Sequence, residues 1–120
     1  MTTSSPKQES EITPFKGAPD EFNKVIASKS GLVVVVFWGQ WCGPCRRLTG
    51  MLPQVAAENK DVSFFKVDVD ENPELAQYFD IIGIPYIILF KGATNDKPTK
   101  VAELLGLDNA ELRKAISNFK

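Results

Sequence analysis

Apolar residues along this chain fall into two alternating kinds of run. Leu32-Val33-Val34-Val35-Val36-Phe37-Trp38 is unbroken, β-branched and aromatic. A run without polar alternation is the pattern of a central strand covered on both faces. Val62 to Val69, with Phe64 and Phe65 at its centre, predicts a second strand, and Ile84 to Phe90, entered through Pro85, a third. Between them the apolar residues take helical spacing. Phe22, Val25 and Ile26 follow the helix opener Pro19-Asp20. Leu48, Met51, Leu52, Val55 and Ala56 stand at i, i+3, i+4, i+7 and i+8, one face of an amphipathic helix. Leu75, Ala76 and Phe79 follow Asn72-Pro73, an N-cap with proline at the first helical position. Leu112, Ala115, Ile116 and Phe119 follow Asp108 and Glu111, spaced as a capping box.

The remaining segments complete the order. Glu11 to Phe15 predicts a short edge strand, since Pro14 suits an edge and not a sheet centre. Lys91 to Pro98 reads as a polar turn, after which Thr99 to Leu104 returns antiparallel. The order βαβαβαββα implies an α/β fold with a mixed sheet and helices on both faces. Residues 1–10 are polar and rich in Ser and Thr and read as a flexible tail; residues 11–120 read as a single domain.

Composition narrows the chemistry. With 43% hydrophobic and 24% charged residues, the chain has an ordinary globular composition. A net charge of −1, from 14 basic and 15 acidic residues, leaves no electrostatic footprint for nucleic acid or an anionic membrane. There are two cysteines and no histidine. No Ser-His or Cys-His dyad can be built, and two cysteines cannot close a zinc site within one chain. Met1 to Ser10 lacks the apolar core of a secretory signal, and the run Leu32 to Trp38 is about a third of a membrane span. A cytoplasmic location is therefore expected, where a cysteine pair is more often catalytic than structural.

That pair, Cys42 and Cys45, lies in Trp41-Cys42-Gly43-Pro44-Cys45, where the central strand turns into a helix. A disulfide exchanger needs one accessible thiolate and a second thiol within bonding reach. Two intervening residues at a helix start supply the reach. The free N–H groups and partial positive charge of the helix N-terminus favour the thiolate. Pro44 fits the first turn, where a missing N–H costs nothing. The expected chemistry is attack by Cys42 on a target disulfide, followed by attack of Cys45 on the mixed disulfide.

From about Ile12 onward the chain resembles the thioredoxin family. The resemblance is carried by Phe37 to Cys45 (FWGQWCGPC), Lys66 to Pro73 (KVDVDENP), Gly83-Ile84-Pro85 and Gly106, in the family's order and spacing. It implies the thioredoxin fold, with Cys42 as nucleophile and Cys45 as resolving thiol. It also implies a cis-proline at Pro85, beside an Ile84 backbone that pairs with an extended client segment. Trp41, Gly83, Ile84, Pro85 and Gly106 would form the docking surface; Trp41, Gly43, Pro44, Pro85 and Lys66 would support the cysteines. Trp38 is expected to brace the turn, and Asp70 to accept the Trp41 indole N–H. Arg46 and Arg47 read as a solvated helix face, with thiolate stabilisation or steering of acidic partners as the other reading.

The implied activity is general protein-disulfide reduction. No cofactor is bound; electrons come from NADPH through thioredoxin reductase. Implied clients are peroxiredoxin, ribonucleotide reductase and methionine sulfoxide reductase, and the protein is expected to act as a monomer. Gly43-Pro44 is the reducing type of dipeptide, which sets aside a disulfide oxidase or isomerase; the other alternative is a thioredoxin-fold binding module. Two positions depart from the family pattern. Val36 stands where a buried aspartate is usual, so Lys66 lacks that partner. Gly50 stands where a kinking proline is usual, with Pro53 three residues later, so a displaced kink is expected between them.

Overall fold

The computed structural model describes residues 12–106 and 108–120. The tail expected over residues 1–10, and Glu11 of the first expected strand, lie outside them. The observed order is β1 (Thr13–Phe15), α1 (Pro19–Ala27), β2 (Leu32–Trp38), α2 (Gly43–Glu58), β3 (Ser63–Asp68), α3 (Pro73–Tyr78), β4 (Tyr86–Thr94), β5 (Lys97–Leu105) and α4 (Asn109–Phe119).

The strands form one sheet in the order β1-β3-β2-β4-β5. β1 and β2 both run parallel to β3, whereas β4 is antiparallel to β2 and β5. Pro14 sits on the edge strand, as its missing N–H requires. β2 is central, and every residue from Leu32 to Phe37 is buried.

Alternation along β2 divides the core into two layers. Leu32, Val34 and Val36 point to the face covered by α2 and α4, where Leu48, Leu52, Val55, Leu112 and Ile116 pack with Phe64, Ile87 and Leu89. Val33, Val35 and Phe37 point to the opposite face, where Phe22 and Ile26 of α1 and Leu75 of α3 pack with Phe65, Val67, Ile88 and Phe90. The β-branched run thus serves two cores at once, which is why it shows no polar alternation.

Three local expectations are corrected. The polar stretch from Lys91 to Pro98 is mostly strand: β4 continues to Thr94 and β5 begins at Lys97, leaving Asn95 and Asp96 as the turn. Both have positive φ, 53° and 63°, as a two-residue hairpin turn matched to strand twist demands. Asn72 precedes α3 but makes no side-chain cap. Its amide instead accepts from Gly17 N–H (3.0 Å) and donates to Asp68 O (3.0 Å) and Phe15 O (3.3 Å), lacing β1 to the end of β3. Phe119, expected on the apolar face of α4, is exposed, whereas Leu112, Ala115 and Ile116 are buried. α2 remains helical through Pro53. Among the described residues no helix is long and apolar enough to cross a membrane.

Candidate active site

β2 ends at Trp38 and α2 begins at Gly43, so the chain must turn sharply between them. The turn is closed by Cys42 N–H donating to Gly39 O at 3.2 Å. Gly39 is required by a close approach: a Cβ there would lie 3.0 Å from two atoms of the Trp41 ring and 3.1 Å from Ile84 Cδ1. Cys42 takes the N-cap position of α2, and its sulfur accepts from Cys45 N–H at 3.2 Å. The first-turn N–H groups that a Ser or Asp cap would satisfy are thus turned toward a sulfur.

Cys42 and Cys45 form a disulfide with a Cα–Cα distance of 5.2 Å. The two sulfurs differ in access. Cys42 retains 7% exposure and Cys45 none. Only the sulfur at the helix N-cap keeps a path to the surface, and a helix N-terminus favours a thiolate over a thiol at that position.

Opposite the pair lies the loop before β4. The Ile84–Pro85 peptide bond is cis, Ile84 O is 4.0 Å from Cys42 Sγ, and Pro85 is buried. Gly106 N–H donates to Pro85 O at 2.9 Å, and Gly106 has φ 96°, a left-handed conformation that favours glycine. Gly106 therefore ties the proline loop to the end of β5. Beside the cysteines is a groove of about 300 Å³ lined by Trp41, Val69, Ile81, Ile82, Gly83 and Ile84. Trp41 is 67% exposed and Ile82 95%.

The structure brings Trp41, Gly83 and Ile84 into one groove, whereas Pro85 and Gly106 do not line it and are joined to each other by a hydrogen bond. Val69, Ile81 and Ile82 complete the lining and lie outside the docking surface that the resemblance implies. The signal for the last two was an apolar doublet in a segment with no helical or strand spacing around it. Trp41 Nε1 donates to Asp70 Oδ2 at 2.7 Å, the bond implied by resemblance. Lys66 is the register partner of Val36, and its ammonium lies 5.2 Å from the centroid of the Trp38 ring. The cation is accommodated by the face of the Trp38 ring, while Val36 stands at the position where the family pattern has a carboxylate. Arg46 is more than a solvated side chain: its Nη1 donates to Gln40 O at 2.7 Å. Among the described residues, no group of three or more His, Cys, Asp or Glu could hold a metal ion.

Comparison with known proteins agrees with this geometry along nearly the whole chain. The sequence model of the family described as Thioredoxin matches residues 14–118. Thioredoxin-2 of Saccharomyces cerevisiae is 34% identical over 107 residues, covering 89% of this chain and 97% of the yeast protein. A bifunctional thioredoxin reductase/thioredoxin of Mycobacterium leprae is 41% identical over 68 residues, 56% of this chain and 15% of that protein. The structure of Trichomonas vaginalis thioredoxin superposes with a TM-score of 0.86 at 35% identity, covering 98% of this chain and all of that one. The match spans both core layers as well as the cysteine turn, and on that ground the chain belongs to the thioredoxin family of thiol–disulfide oxidoreductases.

Proposed function

We propose that the protein reduces disulfides in client proteins, with Cys42 as the attacking and Cys45 as the resolving thiol. The observation that carries the assignment is the difference in access: Cys42, at the helix N-cap, keeps 7% exposure, and Cys45 has none. The Cys42 thiolate attacks one sulfur of the client disulfide, forming a mixed disulfide and releasing the other client sulfur as a thiolate. Cys45 loses its proton and attacks Cys42, which releases the second client thiolate and closes the Cys42–Cys45 disulfide. Two electrons pass from the dithiol to the client. Ile84, whose carbonyl lies beside Cys42 Sγ, and Pro85 present backbone to an extended client segment, while Trp41, Gly83 and Ile84 receive its side chains. Gly43 and Pro44 complete the helix start.

The dithiol is restored by a thioredoxin reductase drawing on NADPH, with no cofactor resident in this chain. The reductase–thioredoxin fusion among its relatives supports that partner. Clients of the peroxiredoxin, ribonucleotide reductase and methionine sulfoxide reductase classes, met in the cytoplasm, complete the reading.

Trapping tests the assignment. Cys45→Ser, reduced and mixed with an oxidised client such as insulin, is expected to accumulate a covalent adduct that dithiothreitol dissolves. Cys42→Ser is expected to form none. Adducts forming at equal rates on both variants would sink the assignment of roles.

A further inference from the structure

The carboxylate of Asp68 is buried, and Asp68 is the last residue of β3. A buried carboxylate is costly unless its oxygens are occupied. Here Oδ1 accepts from Asp70 N–H (2.8 Å) and Glu71 N–H (3.3 Å), and Oδ2 accepts from Gln40 Nε2 (3.2 Å). One side chain therefore holds two segments that meet at the groove. The first is the backbone of Asp70, whose own carboxylate takes the Trp41 indole N–H. The second is Gln40, the residue before Trp41, whose carbonyl accepts from Arg46 Nη1. Trp41 is itself exposed, and its ring lies against Gly39 and forms one wall of the groove beside Cys42.

We propose that Asp68 is a positioning residue for client binding: through Gln40 and Asp70 it fixes the Trp41 wall of the groove. It touches neither the cysteines nor the client. An exposed indole held by a single hydrogen bond to an exposed aspartate would sample several rotamers. Anchoring both the acceptor and the preceding residue to one buried carboxylate removes that freedom before the client arrives, which lowers the entropic cost of docking. The proposal rests on the reading that clients dock in this groove to reach Cys42.

The test uses the full chain, chemically reduced, in single-turnover reactions with insulin over a range of concentrations. Asp68→Ala is expected to raise the half-saturating insulin concentration about fivefold with a much smaller change in limiting rate, the signature of lost binding rather than lost chemistry. Asp68→Asn is expected to retain most of the wild-type value. Its carbonyl still accepts from both N–H groups, and its amide meets the Gln40 side-chain amide turned over. With 5-fluorotryptophan at both tryptophans, the ¹⁹F resonance of Trp41, assigned by its absence in Trp41→Phe, is expected to shift in Asp68→Ala and hold in Asp68→Asn. Should Asp68→Ala not fold, Gln40→Ala, at an exposed position, carries the test with a smaller rise in the same direction. An unchanged half-saturation, an equal fall in limiting rate, an unmoved Trp41 resonance, or an Asp68→Asn variant as impaired as Asp68→Ala would each overturn the proposal. If the Cys45→Ser adduct also fails to form, the assignment of Cys42 has failed instead.

Discussion

At the scale of single residues the site depends on small volumes and individual hydrogen bonds. Gly39 is open to a direct test, because a methyl group there would press on the Trp41 ring and the Ile84 side chain at about 3 Å. Gly39→Ala is expected to displace the indole and slow insulin reduction severalfold. The overpacking should cost roughly 1–3 kcal/mol, measured by urea unfolding. Asn72 is the second such position. Its buried amide serves three backbone groups from two segments, so Asn72→Ala removes three hydrogen bonds and leaves the half-buried Gly17 N–H and Phe15 carbonyl without this partner. A loss of about 2–4 kcal/mol is expected, seen as a lower urea midpoint with an unchanged slope. Both cysteines were legible in the sequence because their chemistry is carried by residue type and spacing. Asp68 and Asn72 were not, because nothing in an Asp or Asn beside other polar residues says that the fold will bury it.

Among the elements, legibility followed burial. β2 and α2 came out with clear patterns because each presents a large apolar surface, on two faces for the strand and one for the helix. The outer half of the β4–β5 hairpin carries the sequence pattern of a polar turn. From Lys91 to Thr94 every residue of β4 is exposed, so the strand contributes no apolar alternation there. The hairpin is held instead by its ladder and by the Asn95-Asp96 turn, both residues in the left-handed region. That conformation is tolerated by Asn and Asp and unstrained for Gly. Asp96→Gly is accordingly expected to stabilise the protein by up to about 1 kcal/mol in urea unfolding, with no change in client reduction. Destabilisation by that substitution would show that Asp96 does more than turn the chain.

Across the whole molecule a few exposed ionic contacts join elements that are distant in sequence. Arg113 of α4 makes a two-pronged pair with Glu58 at the end of α2, Nε to Oε1 at 2.9 Å and Nη2 to Oε2 at 3.1 Å. Hydrogen bonding from Arg113 is the main reason the Glu58 carboxyl lies below its ordinary value. Across β4 and β5, the Tyr86 hydroxyl donates to Glu103, which also meets Lys100 at 3.0 Å. The Tyr86 hydrogen bond is the leading cause of the lowered Glu103 pKa, with Lys100 adding to it, and the same bond raises Tyr86. The sign for the two glutamates follows from linkage. Each binds its proton less readily when folded, so its contribution is present above the unfolded carboxyl pKa and is lost as pH falls through the folded value. Stability is therefore expected to decline in the acid range below about pH 4.5. The double variant Glu58→Gln, Glu103→Gln should flatten that decline in urea unfolding at a series of pH values. Tyr86 has the opposite sense: its contribution is present below its ordinary value of 10.0 and fades as pH rises past it.

Sequence alone determined the α/β order, the central strand, the amphipathic helices and the dithiol chemistry. Each rests on local physics: burial on one or two faces sets the period of apolar residues, and a helix start fixes how two cysteines two residues apart can meet. Tertiary structure decided what distant segments make together. The groove takes Trp41 from the turn after β2, Val69 from just past β3 and Ile81 to Ile84 from the loop before β4. Those segments are neighbours only because β2 lies between β3 and β4 in the sheet. The unequal access of the two sulfurs, the burial of Asp68 and its hold on the Trp41 wall arise the same way, from strand order and packing that no local pattern of residues encodes.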